Sequence, residues 1–454
     1  MATLLKNGPA RSGRAMVLRP VIRGEDRADS RDHAGAIAEA VGLAKAIGLE
    51  VVHAERMNLD RPTAAKLLGS GNAQRIADMV KSAAAQGSPI DVVFIDHALS
   101  PVQQRNLERC FKAKVIDRTA LILEIFGERA RTREGRLQVD LATLSYQRSR
   151  LVRSWTHLGR LRGGFGFMGG PGETQLETDR RLLSQRIAKL RRDLGEVRRT
   201  RTLHREARKR GGHPVVALVG YTNAGKSTLF NKLSGASVGA EDMLFATLDP
   251  TMRGIRLPNG REAILSDTVG FISALPHGLV EAFRATLEEV QAADLILHVR
   301  DVAHPETEAQ KEDVDATLRD LGIDPDANRI IEVANKLDLL DPDGRTEYRN
   351  RALRSDRMVA VSARTGEGLD ELLEAVARQL SAAETVVELD VDLSDGEALS
   401  MVHDRTRVLE REDRDGHAHM RVATDRGTLA RLRDHAGVAV TGRGDGGTQR
   451  PREM

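Results

Sequence analysis

From Ala15 to Ala130 short apolar runs alternate with segments of helical spacing. AMVLRPVI, VVHAERM, DVVFID and KVIDR read as strands, whereas HAGAIAEAVGLAKAIG, AAKLLGSGNAQRIADMVKSAAA and PVQQRNLERCF carry apolar residues three and four apart. Strands and helices in alternation favour a small parallel sheet covered by helices. The rhythm then changes. Leu137, Leu141, Leu144 and Leu151 step at heptad spacing, and Leu176, Leu183, Ile187, Leu190, Leu194 and Val197 continue it beyond a glycine stretch. Narrow apolar seams on two long segments predict an antiparallel helical hairpin, because no single helix passes through GGFGFMGGPG.

From Pro214 the α/β pattern returns. VVALVG, AILSDT, DLILHV, RIIEVAN and MVAVSA are buried-strand candidates, and GLDELLEAVARQLSAA closes the region as a helix. VVELDVDL, EALSMVHDRTRVLE, HMRVAT and TLARLRDHA suggest a small β-α-β-α unit, before a tail of polar and glycine residues. The fold expected is therefore multidomain α/β: a parallel α/β domain at 1–130, a basic helical hairpin at 131–212 with a glycine-rich tip loop at 154–172, a further α/β domain at 213–383, a small C-terminal α/β domain at 384–440 and a disordered tail at 441–454.

Composition agrees with a modular chain, since 454 residues exceed one ordinary domain of roughly 150. Hydrophobic residues make up 40% but aromatics only 3%, which suits aliphatic α/β cores better than strand-rich sandwiches. The single cysteine, Cys110, excludes a disulfide framework and a cysteine-based zinc site; it reads as a buried structural thiol, with a reactive thiol as the alternative. No apolar run is long enough to span a bilayer, and the basic N-terminus lacks the apolar core of a secretory signal. A cytoplasmic protein is expected, with an organellar transit peptide as the alternative.

A net charge of +3 conceals a strong local asymmetry. Thirteen Lys and Arg lie between Arg180 and Arg210 against Asp193, Glu196 and Glu206. A solvated helix face is the usual reading of a charge run, but an excess this large favours a polyphosphate surface, that is, nucleic acid.

The chemistry concentrates at 215–228, VVALVGYTNAGKST. Gly220, Gly225, Lys226 and Ser227 complete G-x-x-x-x-G-K-S after an apolar strand and before a helical run. In such a loop, here Gly220, Tyr221, Thr222, Asn223, Ala224, Gly225, Lys226 and Ser227, backbone N–H groups wrap the phosphates. Lys226 would reach the β- and γ-phosphates and the Ser227 hydroxyl would ligate Mg²⁺. Asp267, Thr268, Val269 and Gly270 follow a strand as DTVG; Asp267 can hold Mg²⁺ through water and the Gly270 N–H can sense the γ-phosphate. Asn335, Lys336, Leu337 and Asp338 form NKLD at another strand end. A carboxylate there accepts from guanine N1–H and the 2-amino group, and adenine offers no such donor pair, so Asp338 selects GTP and GDP over ATP. Ser362, Ala363 and Arg364, after the strand MVAV, would bring backbone N–H groups to guanine O6.

These motifs together resemble the translation-factor-related class of GTPases. RTREGRLQVDLATLSYQ, GGPGETQLETDRR, GYTNAGKSTLFNKL and FATLDPT are further similar to the HflX family of ribosome-associated GTPases, over nearly the whole chain. The resemblance implies an N-terminal α/β domain, a hairpin, a G domain and a small C-terminal domain. It implies that Thr247, within Phe245, Ala246, Thr247, Leu248 and Asp249, ligates Mg²⁺ and closes on the γ-phosphate. The resemblance further implies that Asn223 stands where relatives of the class bind an activating K⁺; a loop-stabilising hydrogen bond is the alternative. Lys226, Thr247, Gly270 and Asn223 are thus the candidate catalytic set. Many GTPases carry a water-orienting Gln after DxxG, but this chain has Phe271, so slow intrinsic hydrolysis and help from a partner are expected.

The stretch GGFGFMGG contains a literal dinucleotide fingerprint at Gly164, Gly166 and Gly169. That motif works only between a strand and a helix, with an acidic residue at a strand end some twenty residues on. Here a basic helical pattern precedes it and another follows. The better reading is a hairpin tip bearing Arg153, Trp155, Arg160, Arg162, Phe165 and Phe167, continued by Arg180 and Arg181, whose side chains suit folded RNA. The family resemblance implies entry into the large ribosomal subunit near its peptidyl-transferase centre, although the family's RGPGE is GGPGE here.

The expectation is a Mg²⁺-dependent GTPase, monomeric, that binds the large ribosomal subunit through its RNA, not DNA, without stable membrane insertion, and promotes subunit dissociation on stalled ribosomes. A ribosome-assembly or RNA-modification GTPase and a signalling switch acting on a protein are the rivals. An ATP-dependent activity of the N-terminal domain stays open, though no second P-loop is found there.

Overall fold

The computed structural model describes residues 13–23, 33–161, 171–210, 213–235, 245, 247–248, 251–272, 288–382, 385–424, 426–435 and 437–443. Within these, the side chains of 33–34, 152–161, 171–176, 198, 202–210, 404, 426–427 and 443 are not described. The first alternating segment forms a four-stranded sheet, β1 (Arg14–Ile22), β2 (Glu50–Leu59), β3 (Val92–Ile95) and β4 (Lys114–Asp117), in the order β2-β1-β3-β4. All its pairs are parallel, with Val17 of β1 opposite Phe94 of β3. α1 (His33–Ala46), α2 (Ser70–Ala85), α3 (Pro101–Phe111) and α4 (Arg118–Arg129) connect and cover the strands.

The local chemistry explains where these helices begin. Ser100 accepts from the Gln103 N–H and Gln103 answers at the Ser100 N–H, a capping box with Pro101 at the first helical position. α2 starts later than its sequence pattern suggests: Leu67 adopts φ +60°, and Thr63 and Leu67 bridge through paired backbone hydrogen bonds of 2.9 Å, so the helix begins only at Ser70. α4 is the helix that periodicity misses. Leu121, Ile122, Leu123, Ile125 and Phe126 are all buried, so little polar face exists to reveal a period. Cys110 is half-buried, its thiol 3.7 Å from the Ala73 carbonyl.

α5 (Arg133–Leu161) and α6 (Pro171–Arg210) are the long helices of the hairpin. α5 runs to Leu161, well into the segment expected as loop from residue 154; Gly159 is tolerated within it at about 1 kcal/mol. α5 also carries a second apolar face: Val139 and Ala142 are buried with α4, while Ile187 and Leu194 of α6 are buried along the seam. Arg201 departs from the basic stripe. Its guanidinium turns inward to Glu134 at 3.1 Å and Glu289 at 2.9 Å.

The second sheet has six strands in the order β10-β9-β8-β5-β7-β6: β5 (Val215–Val219), β6 (Thr251–Arg256), β7 (Glu262–Asp267), β8 (Leu295–Asp301), β9 (Ile330–Asn335) and β10 (Met358–Ala360). Only the edge strand β6, which the apolar pattern does not announce, runs antiparallel. α7 (Lys226–Ser234), α8 (Thr307–Asp320), α9 (Pro342–Leu353) and α10 (Leu369–Ala382) accompany it. One face packs Leu218, Phe230, Val299, Val333, Leu372 and Val376. The other merges with the first unit: Val17, Phe94, Ile122 and Phe126 share one apolar cluster with Tyr221, Phe245, Val269 and Phe271.

A third, antiparallel sheet of order β12-β13-β11-β14 contains β11 (Thr385–Asp392), β12 (Arg407–Arg414), β13 (His417–Thr424) and β14 (Val438–Arg443), with α11 (Gly396–Arg405) and α12 (Arg426–Arg433). Val387, Leu389, Val391, Ala418, Met420 and Val422 alternate inward to its core, the pattern of a sheet with one wet face. Two readings are corrected here. RVLE continues no helix, because α11 ends at Arg405 and the segment pairs with β13 as β12. Thr441, Gly442 and Arg443, expected in a disordered tail, belong to β14, and Gly442 and Arg443 pair with β11. Among the described residues no helix is long and apolar enough to cross a membrane.

Candidate functional site

β5 delivers the chain to Gly220 at the carboxyl edge of the six-stranded sheet, where ligands of open α/β sheets bind. Only glycine fits at two loop positions. A Cβ at Gly220 (φ +151°) would meet the Val299 carbonyl at 2.2 Å, and one at Gly225 (φ +92°) would meet Asn335 Nδ2 at 2.3 Å. Asn335 explains that closeness: its Nδ2 donates to the Ala224 carbonyl at 2.8 Å and its Oδ1 accepts from the Ala363 N–H at 2.9 Å. One amide thus ties NKLD to both the phosphate loop and the Ser362–Arg364 segment. Ala224 and Leu337 are buried, so they offer backbone rather than side chain.

Lys226 opens α7 and is buried, its ammonium donating to the Gly220 carbonyl at 3.0 Å and the Tyr221 carbonyl at 2.7 Å. Burial pushes its pKa down to about 8, against the pull of Asp267. Asp267, at the end of β7, is raised by its own burial despite Lys226 and two hydroxyl donors. Those donors are Ser227 Oγ at 2.8 Å and Thr247 Oγ1 at 2.7 Å, both to Oδ2, and the two hydroxyls lie 2.8 Å apart. Oδ1 of Asp267 is buried with no partner among the described residues. Convergent hydroxyl oxygens beside an under-satisfied carboxylate form the hard-oxygen set that Mg²⁺ takes.

Around this centre, Gly270 lies against the phosphate loop: a Cβ there would be 2.9 Å from Thr222 Cα and 3.0 Å from Lys226 Nζ. Thr268, Val269 and Leu248 are structural, Thr268 Oγ1 donating to the Leu218 carbonyl at 2.6 Å while Val269 and Leu248 are buried in the shared core. Asn223 is exposed, with its backbone in the left-handed region at φ +60°. Asp338 Oδ1 accepts from Ser362 Oγ at 2.6 Å, and Oδ2 pairs with the exposed Arg364 at 2.7 Å. Lys336 (φ +71°) is held by Asp301 Oδ2 at 2.7 Å.

Sequence reasoning missed several supporting residues. Asp301 positions Lys336 from the end of β8. Glu39 of α1 accepts from the Tyr221 hydroxyl and pairs with Arg118 at 2.6 Å. Arg118 and Arg19 in turn flank buried Asp96, whose burial would raise its carboxyl but whose two guanidiniums hold it below the ordinary range. Phe126 of α4 packs edge-on against Phe245, ring centroids 4.7 Å apart. No local motif announces these contacts, whose partners stand from 22 to 182 positions apart in the chain.

Of the remaining sequence candidates, Arg180 and Arg181 are exposed on α6. The side chains of Arg153, Trp155 and Arg160 lie outside the described residues, as do Arg162, Phe165, Phe167, Ala246 and Asp249. The dinucleotide reading of the glycine stretch meets a helix, α5, where it needs a strand.

A phosphate loop between strand and helix, a Mg²⁺-type oxygen set and an NKLD carboxylate at one sheet edge define a P-loop GTPase. Family models match in series along the chain: GTP-binding GTPase N-terminal over residues 35–127, GTP-binding GTPase middle region over 129–208, 50S ribosome-binding GTPase over 215–336 and HflX C-terminal domain over 347–435. The chain is 51% identical over 372 residues to the GTPase HflX of Magnetococcus marinus, covering 82% of this chain and 84% of that protein. It is 46% identical to the GTPase HflX of Escherichia coli, covering 76% and 79%, and 43% identical to that of Lacrimispora saccharolytica, covering 85% and 88%. The chain belongs to the HflX family of GTPases.

Proposed function

We propose that this GTPase docks in its GTP-bound form on the large ribosomal subunit, promotes separation of the subunits, on stalled ribosomes in particular, and leaves after hydrolysis. The observation that carries the reading is the rooting of a long basic hairpin on the nucleotide-binding unit: α6 exposes Arg180 and Arg181 and fastens its base to Glu289 through Arg201. Polyphosphate binding by such a surface is electrostatic and steeply salt-dependent. The 50S ribosome-binding description of the family model over 215–336 supports the same partner.

In the reaction, Lys226 would leave its two carbonyl partners for the β- and γ-phosphate oxygens, and the Gly270 N–H would report the γ-phosphate. Ser227 and Thr247 would hold Mg²⁺ directly and Asp267 through water; the ion supplies charge neutralisation along the β- and γ-phosphates. Asp338 would read guanine while Asn335 keeps loop and base site in register. Asn223, exposed in the loop, would hold K⁺ beside the phosphates. Loss of the γ-phosphate releases Thr247 and Gly270 together, and with them the docking geometry.

The test is co-sedimentation with ribosomes in K⁺ buffer, with a non-hydrolysable GTP analogue, GDP or no nucleotide, while recording the subunit profile. Analogue-dependent association with large subunits and depletion of intact ribosomes is expected. Binding restricted to precursor particles would turn the reading to assembly, and no association in any state would overturn it.

A further inference from the structure

The residue after DxxG is turned away from the nucleotide. Phe271 is 7% exposed within the apolar cluster shared by the two α/β units. Its backbone is pinned to the phosphate loop, N–H to the Gly220 carbonyl at 3.0 Å and carbonyl to the Thr222 N–H at 2.7 Å. A side chain so placed touches neither a γ-phosphate nor an attacking water. The loop nevertheless carries a polar group with nothing to bind: Thr222 is 6% exposed, and its Oγ1 is buried with no hydrogen-bond partner among the described residues. Buried hydroxyls are ordinarily paired, and leaving one unpaired is destabilising.

The surroundings of Thr222 indicate the acceptor. A Cβ built on Gly270 would be 2.9 Å from both Cα and Cγ2 of Thr222 and 3.0 Å from Lys226 Nζ, so the three residues frame one small space. Lys226 and Gly270 are the groups that meet the γ-phosphate in the reading above. We infer that the Thr222 hydroxyl is a further catalytic residue, donating a hydrogen bond to a γ-phosphoryl oxygen as charge builds there. In the step itself the water oxygen bonds to the γ-phosphorus and the bond to the β–γ bridging oxygen breaks. GDP leaves with that electron pair, and both water protons end on inorganic phosphate, one on the entering oxygen and one on another of its oxygens. Thr222 keeps its own proton throughout. Its position is fixed from both sides, by its N–H on Phe271 and by the neighbouring Tyr221 hydroxyl on Glu39.

The inference rests on the reading of this loop as the GTP site, and binding and turnover are therefore measured separately on the full chain. Fluorescent GDP titration gives affinity, and single-turnover GTP hydrolysis at saturating Mg²⁺ and K⁺ gives the rate, for wild type, Thr222→Val and Thr222→Ser. Thr222→Val keeps the shape and removes the hydroxyl; its rate falls about 10- to 100-fold, the size of one hydrogen bond to a charged group. Its GDP affinity stays near wild type, and Thr222→Ser recovers most of the rate. Wild-type turnover in Thr222→Val overturns the proposal, as does an equal loss in Thr222→Ser, which would assign the effect to the methyl group. A wild-type chain that binds no GDP would overturn the GTP-site reading first, and the titration shows it before any rate is compared.

Discussion

Tyr221 in the phosphate loop donates its hydroxyl to the carboxylate of Glu39, a residue of α1 in the preceding α/β unit. Glu39 is also held by Arg118, and Arg118 by Asp96, so the nucleotide loop is the last member of a buried ionic chain that begins under the first sheet.

Cutting that chain at different members should give unequal effects. Tyr221→Phe removes one charge-assisted hydrogen bond and costs about 1 to 2 kcal/mol. Glu39→Ala leaves Arg118 buried with half its counter-charge and costs about 3 to 5 kcal/mol. Urea unfolding of both variants checks the order, and equal losses would show that Glu39 matters only through Tyr221.

Asp338 presents its two oxygens at the base site, one to Ser362 and one to exposed Arg364. Asp338→Asn replaces an acceptor with an amide donor that suits the 2-oxo group of xanthine. GTP affinity should fall about 100-fold or more, and XTP should bind more tightly than GTP. Competition titrations with the two nucleotides decide this; an unchanged preference would remove Asp338 from base recognition.

Asp301 anchors Lys336 at 2.7 Å without lying among the phosphate-site residues. Asp301→Asn should weaken GTP and GDP by a similar factor, about tenfold, while the single-turnover rate at saturation is retained. A variant that slows the bound complex instead would place Asp301 in the chemistry.

His298 lies buried in β8, and burial pushes its pKa down to about 3 from the ordinary 6.5, with Asp315 3.7 Å away. Between those values the unfolded chain holds the proton and the folded one does not. The stability from a neutral His298 is complete above pH 6.5 and is lost as pH falls toward 3, by about 1.4 kcal/mol per unit. His298→Leu should therefore flatten the acid limb of a stability–pH curve from chemical unfolding. A parallel shift of the whole curve would mean that another group governs the limb.

The sequence carries some of these arrangements more openly than others. The phosphate loop is legible because its glycines, Lys226 and Ser227 are neighbours in the chain, and DTVG and NKLD announce themselves at strand ends. The buried strands β1, β3 and β4 are legible because their apolar runs are continuous, and the leucine seams of α5 and α6 because heptad spacing and burial coincide. α4 is hidden because burial on several sides erases its period, and β6 because half its residues are polar on an exposed edge. The partnership of Phe126 with Phe245, and of Glu39 with Tyr221, depends on how the two units pack, a relation with no local pattern.

The clamp of Arg201 between Glu134 and Glu289 gives the hairpin a mechanical meaning. α5 has 29 residues and so extends about 44 Å at 1.5 Å per residue. The clamp lies on the segment that leads into the start of β8, and for a rigid α5 each degree of rotation about its base sweeps the far end through about 0.8 Å. A few degrees at the base thus become a displacement the width of an atom or more at the far end of α5.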